Sequence, residues 1–494
     1  MTGELLLGID QGTGSTRVIA FDRSLSVVAT AARPLQTHHP HPGWAEQDPL
    51  GILESVIDAI ADVVDQVGGV EHVAAAGLDN QGETVVAWDG ETLEPLGPAI
   101  VWQCRRSQAI VERIRAQGGE PRIRATTGLP LDAYYSSSKL AWLLEESERV
   151  RAARARGVLR LGTVDAWLTA RLGLDAPAGR TDPSTASRTQ LLDLGSLGWD
   201  EATLGVFGVD VATLPRLGPS TGHHGTVAHP RWGGAIAITA LACDQQAALA
   251  GHAAFGAGAM KATYGTGVFV LANAGEEPPN VDGLETSVAW QIDRGRPAFV
   301  IQGGVLTAGA LMGWLRDDLG LIDDAAGIGS IATSVPDTAG VRVLPALAGV
   351  GAPWYRPDAR AVIAGLTGAA DRRHVVRAAI DGICHRVCDI VEVMCRALPG
   401  GAVRLRVDGG LTRVEHVVQR QADLLGLPVD LATIDEATAL GIAGLAGLGA
   451  GLIEPGDIAA ANPVARRFEP RLPAQVRLAE RTDWRRFVEA ASEL

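Results

Sequence analysis

Several apolar runs of this chain end in an acidic or polar side chain. The run Leu5–Ile9 leads to Asp10, and the run Ala235–Ala242 leads through Cys243 to Asp244. Polar residues at 81–83 and Asp408 follow other apolar runs in the same way. Short apolar runs bounded by turn residues predict buried strands. Because ligands of open α/β sheets bind beyond the carboxyl ends of the strands, we take these polar residues as candidate site residues.

Amphipathic stripes separate the predicted strands. After Asp48-Pro49, a good N-cap followed by a residue suited to the first helical position, apolar residues recur every three or four positions from Leu50 to Val67. Strands alternate with such helices in both halves, which predicts an α/β fold. A chain of 494 residues exceeds what one hydrophobic core supports. We therefore predict two domains, 1–255 and 256–494.

The segment 5–20 predicts a hairpin with a polar, glycine-containing tip. Its first strand ends at Asp10, residues 11–16 form the turn, and the second strand starts at Arg17. Backbone N–H groups at such a tip suit phosphate oxygens. An aspartate beside them suits a hydrated Mg²⁺ ion that accompanies the phosphates. The alternative is an ordinary hairpin whose turn only requires glycine.

The second half repeats this pattern. Lys261–Ala272 reads as a strand, a Gly265-Thr266-Gly267 turn and a second strand. Two such hairpins predict two related domains that face one nucleotide. Chance recurrence is the alternative, because the chain contains 60 glycines.

Composition excludes several classes of function. A net charge of −14 disfavours a nucleic-acid partner. No apolar run approaches the ~18 residues of a membrane span, and the N-terminus lacks a secretory pattern. The two lysines, Lys139 and Lys261, do not occur in a Walker or protein-kinase motif. Five scattered cysteines are typical of a reduced, cytoplasmic protein.

Some candidate residues also have purely structural interpretations. Asp244 is equally suited to cap a helix. Cys384, Cys388 and Cys395 share one helix face, where buried packing is favoured over metal binding. The histidines around Pro40 lack a further ligand at suitable spacing, which favours a solvated loop.

Ordered motifs along nearly the whole chain resemble the FGGY family of carbohydrate kinases, and within it the glycerol kinase branch. They are DQGTGSTR (10–17), PGWAEQDP (42–49), NQGET (80–84), IVWQCRR (100–106), GTVDAWL (162–168), STASRT (184–189), DQQAAL (244–249), TYGTG (263–267), RVDGG (406–410) and TALG (438–441). The resemblance implies two actin-like (ribonuclease H-like) domains with a nucleotide cleft between them.

The resemblance also implies a role for individual residues. Asp244 would be the catalytic base, and Asp10 would hold Mg²⁺. The acceptor would be surrounded by Glu83, Trp102, Tyr134, Asp244, Gln245 and Phe269. ATP would be bound by Thr13, Gly14, Ser15, Arg17, Thr266, Gly267, Gly309 and Gly410. The alternative for Trp102 and Tyr134 is that these aromatic side chains only pack in the hydrophobic core.

The chain departs from the branch at four of its motif positions. Gly82 and Cys104 stand where glycerol kinases have Arg and Asp, and Gly313 and Val414 stand where they have Gln and Asn. Loss of an arginine removes charge-assisted hydrogen bonds worth about 1.5–3 kcal/mol each and predicts space for a larger acceptor. The glycine-rich regulatory loop of glycerol kinases has no match in 218–234.

These observations predict an ATP- and Mg²⁺-dependent kinase of a small polyol or sugar that is cytoplasmic and homo-oligomeric. Glycerol is the leading acceptor, and Gly82 with Cys104 favours a four- or five-carbon polyol or ketose, as in a pentulose kinase. A non-kinase actin-like ATPase switch is the alternative from another class. It would hydrolyse ATP slowly without an acceptor, whereas a kinase consumes ATP together with a hydroxyl compound.

Overall fold

Two large sheets organise the chain in a computed structural model, which describes residues 4–175, 177–324, 327–398, 400, 404–434 and 436–493. The outermost residues of both predicted domains, 1–3 and 494, lie outside this range. The strands are β1 (Leu5–Gln11), β2 (Ser15–Phe21), β3 (Val27–Pro34), β4 (Glu46–Gln47), β5 (Val73–Asn80), β6 (Val85–Asp89), β7 (Ala99–Ile100), β8 (Leu159–Thr163), β9 (Arg180–Thr181), β10 (Leu192–Asp193), β11 (Gly198–Trp199), β12 (Arg216–Leu217), β13 (Thr221–His229), β14 (Gly234–Cys243), β15 (Met260–Tyr264), β16 (Val268–Gly275), β17 (Glu285–Gln291), β18 (Pro297–Val305), β19 (Arg342–Leu344), β20 (Val362–Ala364), β21 (Leu405–Asp408), β22 (Val429–Ala432) and β23 (Val464–Phe468).

The helices are α1 (Pro49–Gln66), α2 (Gln108–Ala116), α3 (Glu120–Thr127), α4 (Ser136–Glu146), α5 (Glu148–Ala155), α6 (Val164–Arg171), α7 (Pro183–Arg188), α8 (Glu201–Phe207), α9 (Asp244–Gly251), α10 (Gly309–Asp317), α11 (Ile328–Thr333), α12 (Arg372–Ala397), α13 (Glu415–Leu425), α14 (Ala437–Gly449), α15 (Pro455–Ala461) and α16 (Ala474–Ala491). Short 3-10 turns cover Val70–His72, Val211–Thr213 and Gly410–Arg413. Among the described residues, no helix is both long and apolar enough to cross a membrane.

The two large sheets share an arrangement of six strands, and the second sheet has one additional strand. The first runs β13-β14-β5-β1-β2-β3, and the second runs β17-β18-β16-β15-β21-β22-β23. Apart from the additional outer strand β17, each sheet has three antiparallel strands that include a predicted hairpin, then two parallel strands, and a final antiparallel strand. The α/β prediction is therefore confirmed, and both hairpins occupy equivalent places in related sheets. The domain boundary at 255/256 stays a prediction.

Several predicted elements form with shifted ends. The side chain of Asp48 accepts the backbone N–H of Leu50 and caps α1, as the sequence predicts. The second strand of the first hairpin begins at Ser15 rather than Arg17. The strand that leads into the IVWQCRR motif covers only Ala99–Ile100, because the chain turns there and Cys104 N–H donates to the carbonyl of Val101.

Glycines allow the two halves to pack backbone against backbone. A Cβ atom at Gly441 in α14 would collide with the carbonyl oxygen of Ala247 in α9. A Cβ atom at Gly251 in α9 would collide with the carbonyl oxygen of Ala437 in α14. Close approach of these helices therefore requires glycine at both positions, and it fixes α9, whose first residue is Asp244, against the second half.

The cysteine and histidine tracts have structural roles. Cys384 and Cys388 lie fully buried inside α12. His39 bonds through Nδ1 to the carbonyl of Trp44 at 2.8 Å, and the ring of His41 packs edge-on against Trp44. Within the described part of the chain, no three His, Cys, Asp or Glu side chains are arranged to enclose a metal ion.

Candidate active site

Three neighbouring parallel strands carry carboxylates to one edge of the first sheet. Asp10 of β1 lies opposite Asp79 of β5, and Asp79 lies opposite Ala242 of β14. Paired residues of adjacent strands point to the same face of a sheet, and residues two apart share a face. Asp244, the first residue of α9, follows β14 directly, and its charge acts on both Asp10 and Asp79.

The three carboxyl groups lie close together, with Asp79 fully buried and Asp10 and Asp244 half-buried. Burial and the charge of Asp244 raise the pKa of Asp10 to about 6. Burial, followed by the charges of Asp10 and Asp244, raises the pKa of Asp79 well above its usual range. Burial also raises the pKa of Asp244, although hydrogen bonds from Cys243 and Gln245 oppose this. A cation bound at this edge of the sheet would reduce the repulsion among the three carboxylates.

A buried arginine holds the predicted acceptor-site carboxylate. Arg188, at the end of α7, donates from Nε to Glu83 Oε1 at 2.6 Å and from both terminal nitrogens to Glu285 Oε2 at 3.1 Å. Gln302 Nε2 donates to the same Glu285 oxygen at 2.8 Å. Glu285 belongs to β17 of the second half, so this cluster ties Glu83 to both halves of the molecule.

An aromatic wall stands beside Glu83. The rings of Trp102 and Tyr134 meet edge-on at 5.5 Å between centroids, and the guanidinium of Arg188 lies 5.9 Å from the Tyr134 ring centre. Lys139 Nζ donates to the carbonyls of Ala133, Tyr134 and Tyr135 at 2.5–3.1 Å. Burial lowers the pKa of Lys139 to about 7. This lysine fixes the loop that carries Tyr134.

Gln245 lies next to Asp244 and is held by a second buried lysine. Lys261 Nζ donates to Gln245 Oε1 at 2.9 Å and to Thr263 Oγ1 at 3.2 Å. Phe269 pairs with Thr263 across the second hairpin. The described contacts do not link Phe269 to Trp102 or Tyr134, so its role in acceptor binding stays a prediction.

The tip of the first hairpin contacts the aromatic wall. Trp102 Nε1 donates to Thr13 Oγ1 at 2.9 Å, and Gln47 Nε2 donates to the Thr13 carbonyl at 2.7 Å. Gly14 and Ser15 complete the tip, and Arg17 forms an ion pair with Glu436 of the second half. The tip therefore lies between the predicted acceptor residues and the second half of the chain.

The second hairpin packs against the start of α10. The N–H groups of Ala308 and Ala310 donate to the carbonyl of Thr266 at 2.8 and 3.1 Å. Gly309 is required there, because a Cβ atom would lie 2.6 Å from the carbonyl oxygen of Gly265. A Cβ atom at Gly267 would lie 2.6 Å from the carbonyl oxygen of Val305. Glycine thus keeps this tip narrow.

A third glycine turn follows β21. Gly409 has φ 94°, and a Cβ atom there would lie 2.6 Å from the carbonyl oxygen of Tyr264, so the position requires glycine. The Cα of Gly410 faces open space. Asp408 pairs with His252 Nε2 at 2.9 Å just before the turn. Gly410 thus leaves backbone accessible, which suits its predicted place against a nucleotide.

The structure corrects the interpretation of Gly82 and Cys104. A Cβ atom at Gly82 would lie 2.5 Å from Cys243 Sγ, so the thiol already fills the space that the missing side chain was expected to open. Cys104 is fully buried in the core around α2 and α4, where its sulfur accepts from Arg106 Nε at 3.0 Å. Neither residue therefore enlarges the acceptor site.

We expect Gly82→Ala to reduce kcat/KM and stability because the new Cβ would displace the Cys243 thiol from Asp244. Overpacking of this kind costs about 1–3 kcal/mol. Adding Cys243→Ala removes the sulfur and should restore most of the loss. A double-mutant cycle on melting temperature and kcat/KM measures the coupling, and strictly additive effects would contradict the contact.

Sequence reasoning missed several residues of this site. Arg188 lies within a quoted motif, yet nothing local reveals its partners. Glu285 gives no signal, since it is one acidic residue at the start of an ordinary strand. Asp79 did give one, because it follows the apolar run Val73–Leu78 just as Asp10 follows its own run.

Comparison with known proteins adds independent findings. Models of the N-terminal and C-terminal domains of the FGGY family of carbohydrate kinases match residues 5–251 and 260–450. The chain is 41% identical to a glycerol kinase of Citrifermentans bemidjiense over 486 residues and 43% identical to one of Thermus brockianus over 491, covering 98% of each chain in both cases. The crystal structure of Plasmodium falciparum glycerol kinase with ADP superposes with a TM-score of 0.93 at 30% identity, covering 99% of both chains.

Proposed function

The chain belongs to the FGGY family of carbohydrate kinases, and from this premise we propose that it transfers the γ-phosphoryl group of ATP to a hydroxyl group of glycerol. The observation that carries the proposal is the position of the Asp244 carboxylate. Its negative charge raises the pKa of both Asp10 and Glu83, so it lies close to the metal-binding candidate and to the acceptor-site carboxylate. Phosphoryl transfer to an alcohol needs a carboxylate that is close both to the phosphate-binding residues and to the residues that bind the alcohol. The first hairpin and the Trp102–Tyr134 pair are the candidates for these two sets.

Asp244 is the general base in this proposal. Its Oδ1 accepts the backbone N–H of Gln245 at 2.7 Å and the thiol of Cys243 at 3.3 Å, which leaves Oδ2 for the hydroxyl proton. Glu83, held by Arg188, and the Trp102–Tyr134 wall orient the alcohol. The proton is accepted late, so positioning of the alcohol contributes most of the catalysis.

The residues present suit a Mg²⁺ ion. Mg²⁺ is usually bound by one or two carboxylates together with waters and substrate phosphates, without a closed protein cage. Asp10, whose pKa is raised by burial and by Asp244, would hold it. When bound, the ion neutralises charge on the phosphates.

Ion pairs join the two halves around the proposed cleft. Arg17 pairs with Glu436, and Arg188 pairs with Glu285. Each joins a residue of the first half to one of the second. Holding the halves together over the reactants would exclude water, which otherwise competes with the alcohol as acceptor.

The charges of the site favour a small neutral acceptor. Buried carboxylates surround the base, and the guanidinium of Arg188 is already shared between Glu83 and Glu285. This guanidinium is therefore not free to compensate the charge of an anionic acceptor beside Glu83. Because Cys243 fills the space beside Gly82, a longer polyol gains no room there.

A coupled assay of ADP release with glycerol, erythritol, D-xylulose and D-glycerate tests the proposal. We expect glycerol to give the highest kcat/KM. D-glycerate has a similar size but carries a carboxylate, and its kcat/KM should be at least about tenfold lower because the carboxylates around Asp244 repel that charge. A pentulose preferred over glycerol would support the alternative acceptor class. Slow ATP hydrolysis that no acceptor accelerates would indicate the actin-like switch.

We also propose a cytoplasmic location and a homo-oligomeric state. The buried thiols of Cys104, Cys243, Cys384 and Cys388 support a reducing compartment. Light scattering on the purified protein measures the oligomeric state directly.

A further inference from the structure

Asp79 is an acidic side chain that the mechanism above does not use. It is fully buried, and neither of its carboxylate oxygens has a hydrogen-bond donor. A buried carboxylate without a partner is costly, and such groups in native proteins call for a specific explanation.

Two other buried aspartates, Asp182 and Asp389, have hydrogen-bond donors on both carboxylate oxygens. Asp182 accepts the backbone N–H groups of Ser184 and Thr185 and the hydroxyl of Ser220. Asp389 accepts from Arg386 and Arg481, both at 2.6 Å. Asp165 and Asp408 have a partner on one oxygen only, whereas Asp79 has a partner on neither.

The carboxylate of Asp79, which has no hydrogen-bond donor, lies next to the other acidic residues of the site. Asp79 pairs with Asp10 in the β1–β5 register, and its carboxyl group lies within hydrogen-bond reach of that of Asp10. Asp244 adds a third negative charge that acts on both residues. A cation beside Asp10 would supply the partner that Asp79 lacks.

We propose that Asp79 is a second protein carboxylate, besides Asp10, that binds the divalent cation entering with the nucleotide. The inference rests on the proposed function, because that reaction brings a metal–nucleotide complex to this edge of the sheet. Two carboxylates with waters and phosphate oxygens form a typical Mg²⁺ ligand set. With Asp79, the chain would hold the cation more tightly than Asp10 alone allows.

Binding of Mn²⁺, measured by electron paramagnetic resonance on the full chain with saturating ADP, tests the proposal without relying on turnover. We expect Asp79→Asn to weaken Mn²⁺ binding by about tenfold or more, because one ligand charge is lost. Asp165→Asn is the matched control, since Asp165 is equally buried with a pKa raised to about 6 but bonds to Thr163. It should bind Mn²⁺ like the wild type.

The melting temperature of the metal-free protein provides a second test, in which the same substitution should stabilise the protein rather than weaken it. Removing an uncompensated buried charge should raise the melting temperature of metal-free Asp79→Asn above that of the wild type. The further rise on adding Mn²⁺ and ADP should be smaller than in the wild type, because less binding energy is available. Both changes together support the proposal.

The competing explanation is a proton shared between Asp79 and Asp10. Asparagine would preserve that hydrogen bond, so Asp79→Asn would bind Mn²⁺ as tightly as the wild type, and this result would overturn the proposal. The proposed function fails separately, if the wild type phosphorylates no polyol while the effect of Asp79→Asn on Mn²⁺ binding persists.

Discussion

Asp244→Asn should lower kcat by about 10²–10⁴-fold, the usual contribution of a general base. The amide keeps an oxygen at the Oδ1 position, where Gln245 N–H and the Cys243 thiol donate. It cannot accept a proton from the alcohol. The variant therefore removes the base while preserving the local hydrogen bonds, and single-turnover measurements of ester formation report the loss directly.

Binding and stability serve as controls for this variant. Asp244 is half-buried and its charge acts on Asp10 and Asp79, so removing this charge relieves repulsion, and the melting temperature should not fall. Affinity for ADP should change little, since the glycine turns at 265–267 and 409–410 are untouched. Turnover near the wild-type rate would assign the base role to another group.

The sequence predicts the parts of this site that local patterns determine. A hairpin with a polar tip needs only a short apolar run, a turn and a second run, and both hairpins form where these patterns occur. Asp48 caps α1 because its carboxylate reaches a backbone N–H two residues away. Asp10 and Asp244 follow from the rule that strand ends collect ligand-binding residues.

Local patterns do not predict contacts between residues that are far apart in the sequence. Arg188 and Glu285 are 97 positions apart, and they meet only because α7 packs on β17. The interpretation of Gly82 was wrong for a similar reason. Its neighbour in space is Cys243, which lies on another strand of the same sheet. No local feature of the NQGET segment indicates that this thiol fills the space beside Gly82.

Arg188→Met should lower the free energy of unfolding by about 3–5 kcal/mol, the usual effect of removing one partner from a buried ion pair. Methionine fills much of the volume, so the loss is chiefly electrostatic. The side chains of Arg188 and Glu83 are 2% and 7% exposed, so water cannot replace the guanidinium. Urea denaturation and the melting temperature of the purified variant measure the effect.

The dependence on pH identifies the cause. Burial already raises the pKa of Glu83, and Arg188 opposes that rise. Without the arginine the pKa rises further, so the folded variant binds more protons than the unfolded chain above the unfolded pKa of about 4.3. The stability deficit of Arg188→Met should therefore be full at neutral pH and shrink as pH falls toward about 5. A deficit that is independent of pH would indicate lost packing instead.

Restoring charge balance should separate stability from function. Arg188→Met combined with Glu83→Gln and Glu285→Gln leaves no unpaired buried charge in the cluster, and it should recover most of the lost stability. Activity should remain low, because a carboxylate at Glu83 is needed to orient the acceptor. Arg188→Lys should be intermediate in both respects, since an ammonium keeps the charge but cannot bond to Glu83 and Glu285 in the same planar geometry. If the triple variant stayed as unstable as Arg188→Met, the cluster would owe its stability to shape rather than to paired charge.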